Sequence, residues 1–253
     1  MAALANPRHI AGEGTSEAAW ADWLERHALS DADPADLLSG SDTLHVLAPH
    51  PDDEVLCCAG LMRRAARLGV AVRVWAITDG EASHPGSALW PPERLRQARA
   101  DESSAALATL GVFASRVRLA IPDGGVSARE AALAEALSRV VDRGDTLVAP
   151  WRLDGHPDHE AVGRAAAEVA ARRACRLLEA PIWGWHWADP ADEPFPLDRT
   201  VRVALDAADR AAKARAMRCY TSQLAADAST GRPPILPPFA LARFHRPFEV
   251  FFQ

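Results

Sequence analysis

The sequence predicts an α/β fold, a mostly parallel sheet with helices on both faces. Three observations carry that expectation. Short apolar runs rich in β-branched residues alternate with longer segments of helical period. Glycines close helical segments, as at Gly69 and Gly111. The pentapeptide His-Pro-Asp-x-Glu occurs twice, beginning at His50 and at His156, each time between an apolar run and a helical segment.

Residues 1–40 read as an appended arm, with a helix over 18–29 that puts Trp20, Trp23 and Leu24 on one face. Residues 41–253 read as one domain. Its first strand is the apolar run 44–48, followed by a helix marked by Val55, Ala59, Met62 and Ala66. Strands are expected at 70–77 and 116–121, separated by a helix over 93–110. A helix over 128–141, a strand at 146–149 and a helix marked by Val162, Ala165, Ala166, Val169 and Ala170 come next. Strands at 176–182 and 201–205, a helix over 207–224 and a strand at 249–252 complete the chain, the last preceded by the Pro-rich stretch 232–238. Right-handed crossovers bring the carboxyl ends of parallel strands to one edge, where ligands bind in such folds. Both pentapeptides fall on that edge.

Composition narrows the partners. The 253 residues are 49% hydrophobic and 25% charged, ordinary for a soluble globular protein, and the net charge of −6 disfavours nucleic acid. Cys57, Cys58, Cys175 and Cys219 form no C-x-x-C pair, which reads as reduced, buried thiols in a cytoplasmic protein. Residues 1–10 contain no apolar leader, and no apolar run approaches the roughly 20 residues of a bilayer span. No Gly-x-Gly-x-x-Gly follows the first strand, so a dinucleotide site is not expected. Oligomeric state stays open, a homo-oligomer included.

The pentapeptides carry the chemistry. Pro51 and Pro157 suit the first turn of a helix, which makes His50 and His156 cap residues. Acidic residues in a first turn are common and need no function. Two histidines at i, i+3 and an Asp-Asp-Glu run after a third histidine are a different matter, because such crowding favours a cation. A zinc hydrolase uses three His or carboxylate ligands and leaves a fourth position for water. If the two junctions meet, His50, Asp53 and His159 offer that set. Asp52 can then serve as general base. His156, oriented by Asp158, is free to stabilise an oxyanion or protonate the leaving amine. Zinc suits the ligands, and another divalent transition metal would fit the same nitrogen and oxygen donors.

Pro49-His50-Pro51-Asp52-Asp53-Glu54, with His156-Pro157-Asp158-His159 about a hundred residues later, resembles the PIG-L/LmbE-like deacetylases. The likeness covers 43–169 well and is looser over 213–223 and 248–251. It implies a Rossmann-like sheet and zinc-dependent N-deacetylation of an N-acetylglucosamine-type conjugate. It further implies that His50, Asp53 and His159 hold the metal, that Asp52 is the base, and that His156 assists the tetrahedral intermediate. Arg99 matches the family's Arg-x-x-Glu helix pattern and Asp123 a sugar-contacting loop, so both are candidate substrate residues. Arg99 could equally form an i, i+3 surface pair with Glu102, and Asp123 a plain Pro-Asp-Gly turn. The segment 183–187 (Trp-Gly-Trp-His-Trp) reads either as an aromatic platform, with His186 near the metal, or as a packed lid. Two rival functions remain: an amidase releasing a larger acid from a sugar–thiol or acyl-amino-sugar conjugate, and a binding module with no metal.

Overall fold

The computed structural model describes residues 8, 10 and 12–253. The strands are β1 (Ser30–Asp31), β2 (Thr43–Ala48), β3 (Ala71–Ala76), β4 (Ala114–Arg118), β5 (Thr146–Pro150), β6 (Arg176–Ala180), β7 (Thr200–Ala204) and β8 (Phe248–Phe252). They form one sheet in the order β1-β7-β8-β6-β5-β2-β3-β4. Every neighbouring pair is parallel except those of β8, which runs antiparallel to β6 and β7. The helices are α1 (Glu17–His27), α2 (Pro34–Leu37), α3 (Asp53–Arg67), α4 (Pro92–Leu110), α5 (Glu130–Ser138), α6 (Pro157–Arg173), α7 (Gly184–Trp187), α8 (Ala207–Met217), α9 (Thr221–Leu224) and α10 (Pro238–Ala242).

The sheet is covered on both sides. Leu44, Val46 and Ala48 of β2 enter one core with residues of α3, α4 and α8, while Leu47 enters a second with Leu133 and Leu137 of α5 and Val162 and Ala165 of α6. Burial of both faces explains why the central strands read as continuous apolar runs rather than alternating ones. From β2 the chain proceeds outward to β3 and β4, then returns to β5 on the opposite side of β2 and proceeds to β6. The order therefore reverses between β2 and β5, and a crevice opens at such a reversal beyond the strand ends. The two pentapeptides follow these two strands.

Several elements depart from the sequence pattern. β1 is too short to leave a periodic signal and exists only through its pairing with β7. The third strand runs 114–118 rather than 116–121, because Ala120 takes a positive φ of 50° that interrupts the ladder. The helix expected over 207–224 is split into α8 and α9. Glu102 explains the break: its carboxylate accepts hydrogen bonds from the Ser222 N–H (2.7 Å), the Ser222 hydroxyl (2.7 Å) and the Thr221 hydroxyl (2.8 Å). The arm over 1–40 is woven into the domain through its described part. Trp20 and Trp23 are fully buried beside Phe195, and the Trp20 indole donates to the Trp185 carbonyl at 2.7 Å. The stretch 1–10 that was read for a leader lies largely outside the described residues. Among the described residues no helix is long and apolar enough to cross a membrane.

Candidate active site

The junction after β2 turns more sharply than a proline-started helix. α3 begins at Asp53 with Asp52 as its cap, so Pro51 lies ahead of the helix and His50 is not the cap residue. The cause is Asp52, whose φ of 137° and ψ of −33° are rarely adopted by an L-residue. Such a conformation costs about 1–3 kcal/mol and persists only where neighbours impose it. Here two neighbours do. Glu54 accepts the Asp52 N–H at 3.0 Å, and is itself held by the Ser103 hydroxyl (2.6 Å) and the Tyr220 hydroxyl (3.0 Å). Arg99 donates to the Pro51 carbonyl (2.8 Å), the Gly80 carbonyl (2.9 Å) and the Asp52 carboxylate (2.9 Å). Gly80 has a φ of +65°, and a Cβ there would lie 1.8 Å from the Arg99 guanidinium. The outcome is that Asp52 and Asp53, adjacent in sequence, send their carboxylates to different partners.

The junction after β5 follows the expected pattern. His156 caps α6, accepting the Asp158 N–H on its Nδ1 at 3.2 Å, and Pro157 is the first helical residue. The Asp158 carboxylate does not orient His156. It accepts the N–H groups of Gly124 (2.8 Å) and Val126 (3.1 Å) and lies 3.5 Å from His50 Nε2. Asp158 thus clamps the loop after β4 to the site.

His50 Nδ1, Asp53 Oδ2 and His159 Nε2 meet at one point. They lie 3.2 Å (His50 to His159), 3.4 Å (His50 to Asp53) and 3.3 Å (His159 to Asp53) apart. Donors with bonds of about 2.0–2.1 Å to a tetrahedral ion are separated by roughly 3.3–3.4 Å, so the spacing suits zinc. The far nitrogens fit as well. His159 Nδ1 is 2.8 Å from Asp154, and His50 Nε2 is 3.2 Å from Asp123. Each carboxylate takes the far N–H and leaves the inward nitrogen with its lone pair, the arrangement of metal-binding histidines. His156 also comes close, its ring 4.8 Å from that of His50 and 4.9 Å from that of His159.

The electrostatics point the same way. Burial pulls the His159 imidazole down, but the charges of Asp53 and Asp154 outweigh it and hold the group up at about 9. Burial likewise opposes the charge of His50, yet Asp123, Asp158 and Asp53 raise it well above its ordinary value. The negative charges that favour a proton on these two rings would favour a cation between them for the same reason. Burial, partly offset by Arg99, pushes the Asp52 carboxyl up to about 7, within the useful range of a general base. Burial and the charges of His159 and His50 push His156 down to about 3, so that ring is neutral.

A cavity of about 380 Å³ opens over this cluster, with His50, Asp52, Asp53 and His156 at its polar end. Its other walls are largely apolar and include Ile182, Trp183, Ile235, Leu236 and Phe244, together with Arg243. Arg99 and Asp123 line it too. Arg99 is buried and makes neither a surface pair nor any bond to Glu102; its donors hold the Asp52 turn. Asp123 divides its oxygens between His50 and the Ala82 N–H (2.9 Å). Of the Trp-rich segment, Trp183 lines the cavity, Trp185 packs in the core, and His186 bonds Arg243 rather than joining the histidine cluster.

Sequence reasoning missed Asp154, Glu54 and Arg243. Asp154 is fully buried, and beyond His159 it accepts the N–H groups of Ile182 (2.8 Å), Trp183 (2.9 Å) and Gly184 (2.8 Å). Its position five residues before His159 was the one available signal. Nothing local distinguishes Arg243 from the other arginines.

Residues 45–170 match the PIG-L family, described as GlcNAc-PI de-N-acetylase. No curated protein matches the sequence. Among solved structures, a deacetylase of an antimicrobial pseudoaglycone superposes with a TM-score of 0.60 at 23% identity, covering 85% of this chain and 97% of that one. A teicoplanin deacetylase in complex with teicoplanin gives 0.58 at 19% identity, covering 72% and 88%. The N,N'-diacetylchitobiose deacetylase of Pyrococcus horikoshii gives 0.54 at 22% identity, covering 83% and 80%. At these identities the likeness establishes the fold.

Proposed function

We propose that this chain, a member of the PIG-L family, is a metal-dependent N-deacetylase of an N-acetylglucosamine-type sugar conjugate, releasing acetate and a free amine. The observation that carries the reading is the three-donor cluster of His50, Asp53 and His159, the first two of which line a ligand-sized cavity, with Asp52 beside it. These three residues would hold the cation. Bound there, it supplies Lewis acidity that lowers the pKa of water and polarises an amide carbonyl.

The chain's own groups do the rest. Arg99 and Glu54 hold Asp52 in its strained turn, so its carboxylate is placed before substrate arrives. Asp52 accepts a proton from the attacking water and passes it to the departing nitrogen. Because the Nδ1 of His156 is occupied as an acceptor, its proton sits on Nε2. Neutral His156 therefore donates a hydrogen bond to the developing oxyanion and is not the acid that protonates the amine.

The apolar walls at Ile182, Leu236 and Phe244 favour one competing reading, an amidase that removes a longer acyl group. Zinc-loaded protein should be assayed on paired N-acetyl and N-octanoyl glucosamine derivatives, measuring free amine and the acid released. Preferential release of acetate, abolished by chelation and restored by zinc, is the expected result. Octanoate as the favoured product would assign the amidase, and turnover indifferent to metal would overturn both.

A further inference from the structure

Two arginines just beyond α10 have opposite fates. Arg246 is held by both oxygens of Glu17, each at 2.7 Å, and its guanidinium lies 4.0 Å from the Trp185 ring. Arg243 is 4% exposed, yet its guanidinium meets only neutral acceptors. It donates to the carbonyls of Glu13 (2.9 Å) and Thr15 (2.8 Å) and to Nδ1 of His186 (3.1 Å). Its buried Nε has no hydrogen-bond partner among the described residues. No described carboxylate pairs with Arg243, and residues 1–7, 9 and 11 contain no Asp or Glu. Glu17, whose charge reaches Arg243, is committed to Arg246. Burial, with the neighbouring charge of Arg246, pulls Arg243 down to about 10. A buried guanidinium without a counter-charge is costly, and folds seldom retain one that does nothing. This one lines the cavity that holds the histidine cluster.

We infer that Arg243 recognises an anionic group, a carboxylate or a phosphate ester, on the substrate, so that the conjugate deacetylated here is an acidic one. This rests on the hydrolytic reading above. Three of its five N–H groups are donated to Glu13, Thr15 and His186, so the positive charge and the remaining donors, not a free fork, would meet either anion, and the desolvated wall strengthens that contact relative to water. The polar end of the cavity takes the acetamide, and Arg243 reads charge elsewhere on the sugar or its aglycone.

The test compares zinc-loaded wild type, R243Q, R243K and R246Q on four probes: N-acetylglucosamine, its 1-phosphate, its 6-phosphate and N-acetylmuramic acid. Free amine is measured, and binding of each probe is followed by calorimetry. In wild type at least one acidic probe should exceed N-acetylglucosamine in kcat/KM by about 10- to 100-fold, the scale of a charge-assisted contact. R243Q should erase that ratio, R243K should retain part of it, and R246Q should leave it unchanged. Because the ratio is taken within each variant, a general loss of folded enzyme cancels; if R243Q does not fold, a full ratio in R243K still overturns the assignment. Equal turnover of acidic and neutral probes by wild type, or a preference that survives R243Q, would also overturn it while leaving deacetylation standing. Binding of an acidic probe to wild type but not to R243Q, without release of amine from any probe, would uphold the anion site and remove the deacetylase reading.

Discussion

The two copies of His-Pro-Asp-x-Glu share four residues and almost nothing in structure. In the second, the chain enters α6 without strain. His156 caps the helix, Pro157 starts it, and Glu160 lies near the surface, where it pairs with Arg8 at 2.8 Å and accepts the Gly155 N–H at 3.0 Å. In the first, helix entry is delayed to Asp53, the Asp52 backbone is forced to a positive φ, and Glu54 is buried to brace it. The difference teaches what each copy is for. A relaxed helix start presents His159 from a rigid element. A strained turn makes two adjacent aspartates diverge, one toward His50 and His159 and one toward Arg99.

Substitutions that remove equivalent parts from each copy test this asymmetry. The largest effect is expected for His159→Ala, which should leave less than a tenth of an equivalent of zinc by elemental analysis and no measurable turnover, since it removes one of the three proposed ligands. Asp52→Asn should retain zinc while kcat falls by about 10²- to 10⁴-fold, the range of general base catalysis. In wild type the base works only when ionised, so kcat/KM should decline as pH drops through the Asp52 pKa. That value is about 7, set by burial and partly offset by Arg99. A mutant with unchanged turnover would remove Asp52 from the chemistry.

His156→Gln should also keep zinc, with kcat reduced by about 10²- to 10³-fold for loss of an oxyanion donor. Loss of metal in this variant would instead make the second copy contribute two ligands. Asp154→Asn should weaken zinc affinity about 10- to 100-fold in a competition titration with a chelator, because it disturbs the partner that orients His159. The smallest pair isolates the final glutamates. Glu54→Gln puts an amide donor against the Ser103 and Tyr220 hydroxyls and should cost about 1–3 kcal/mol in denaturant unfolding. Glu160→Gln, in a partly exposed ion pair with Arg8, should cost less, within about 1 kcal/mol. Equal costs would mean that the first turn is no more strained than the second.

Much of this was legible before the fold was known. Doubly buried strands such as β2 and β5 announce themselves as apolar runs, and the periodicity of α3, α4 and α6 is local. The metal-cluster candidates were legible because a histidine at a strand-to-helix junction, repeated, is rare without a purpose. Less legible was anything that depended on a distant partner. β1 needs β7, the α8–α9 break needs Glu102, and the placement of Pro51 outside α3 needs both Arg99 and Glu54.

By itself, then, the sequence determined the α/β class, the edge of the sheet that carries both pentapeptides, and the candidate ligands for the proposed metal, because each is written in patterns a few residues long. The tertiary structure decided how those residues divide the work. Contacts between positions separated by 19 to 109 residues, such as Arg99 with Gly80 and His50 with His159, set which aspartate faces the histidines and which faces Arg99. They also left one buried arginine without a counter-charge. Short-range patterning carries no information about such pairings, since they depend on how the strand order reverses between β2 and β5 and brings two distant junctions together.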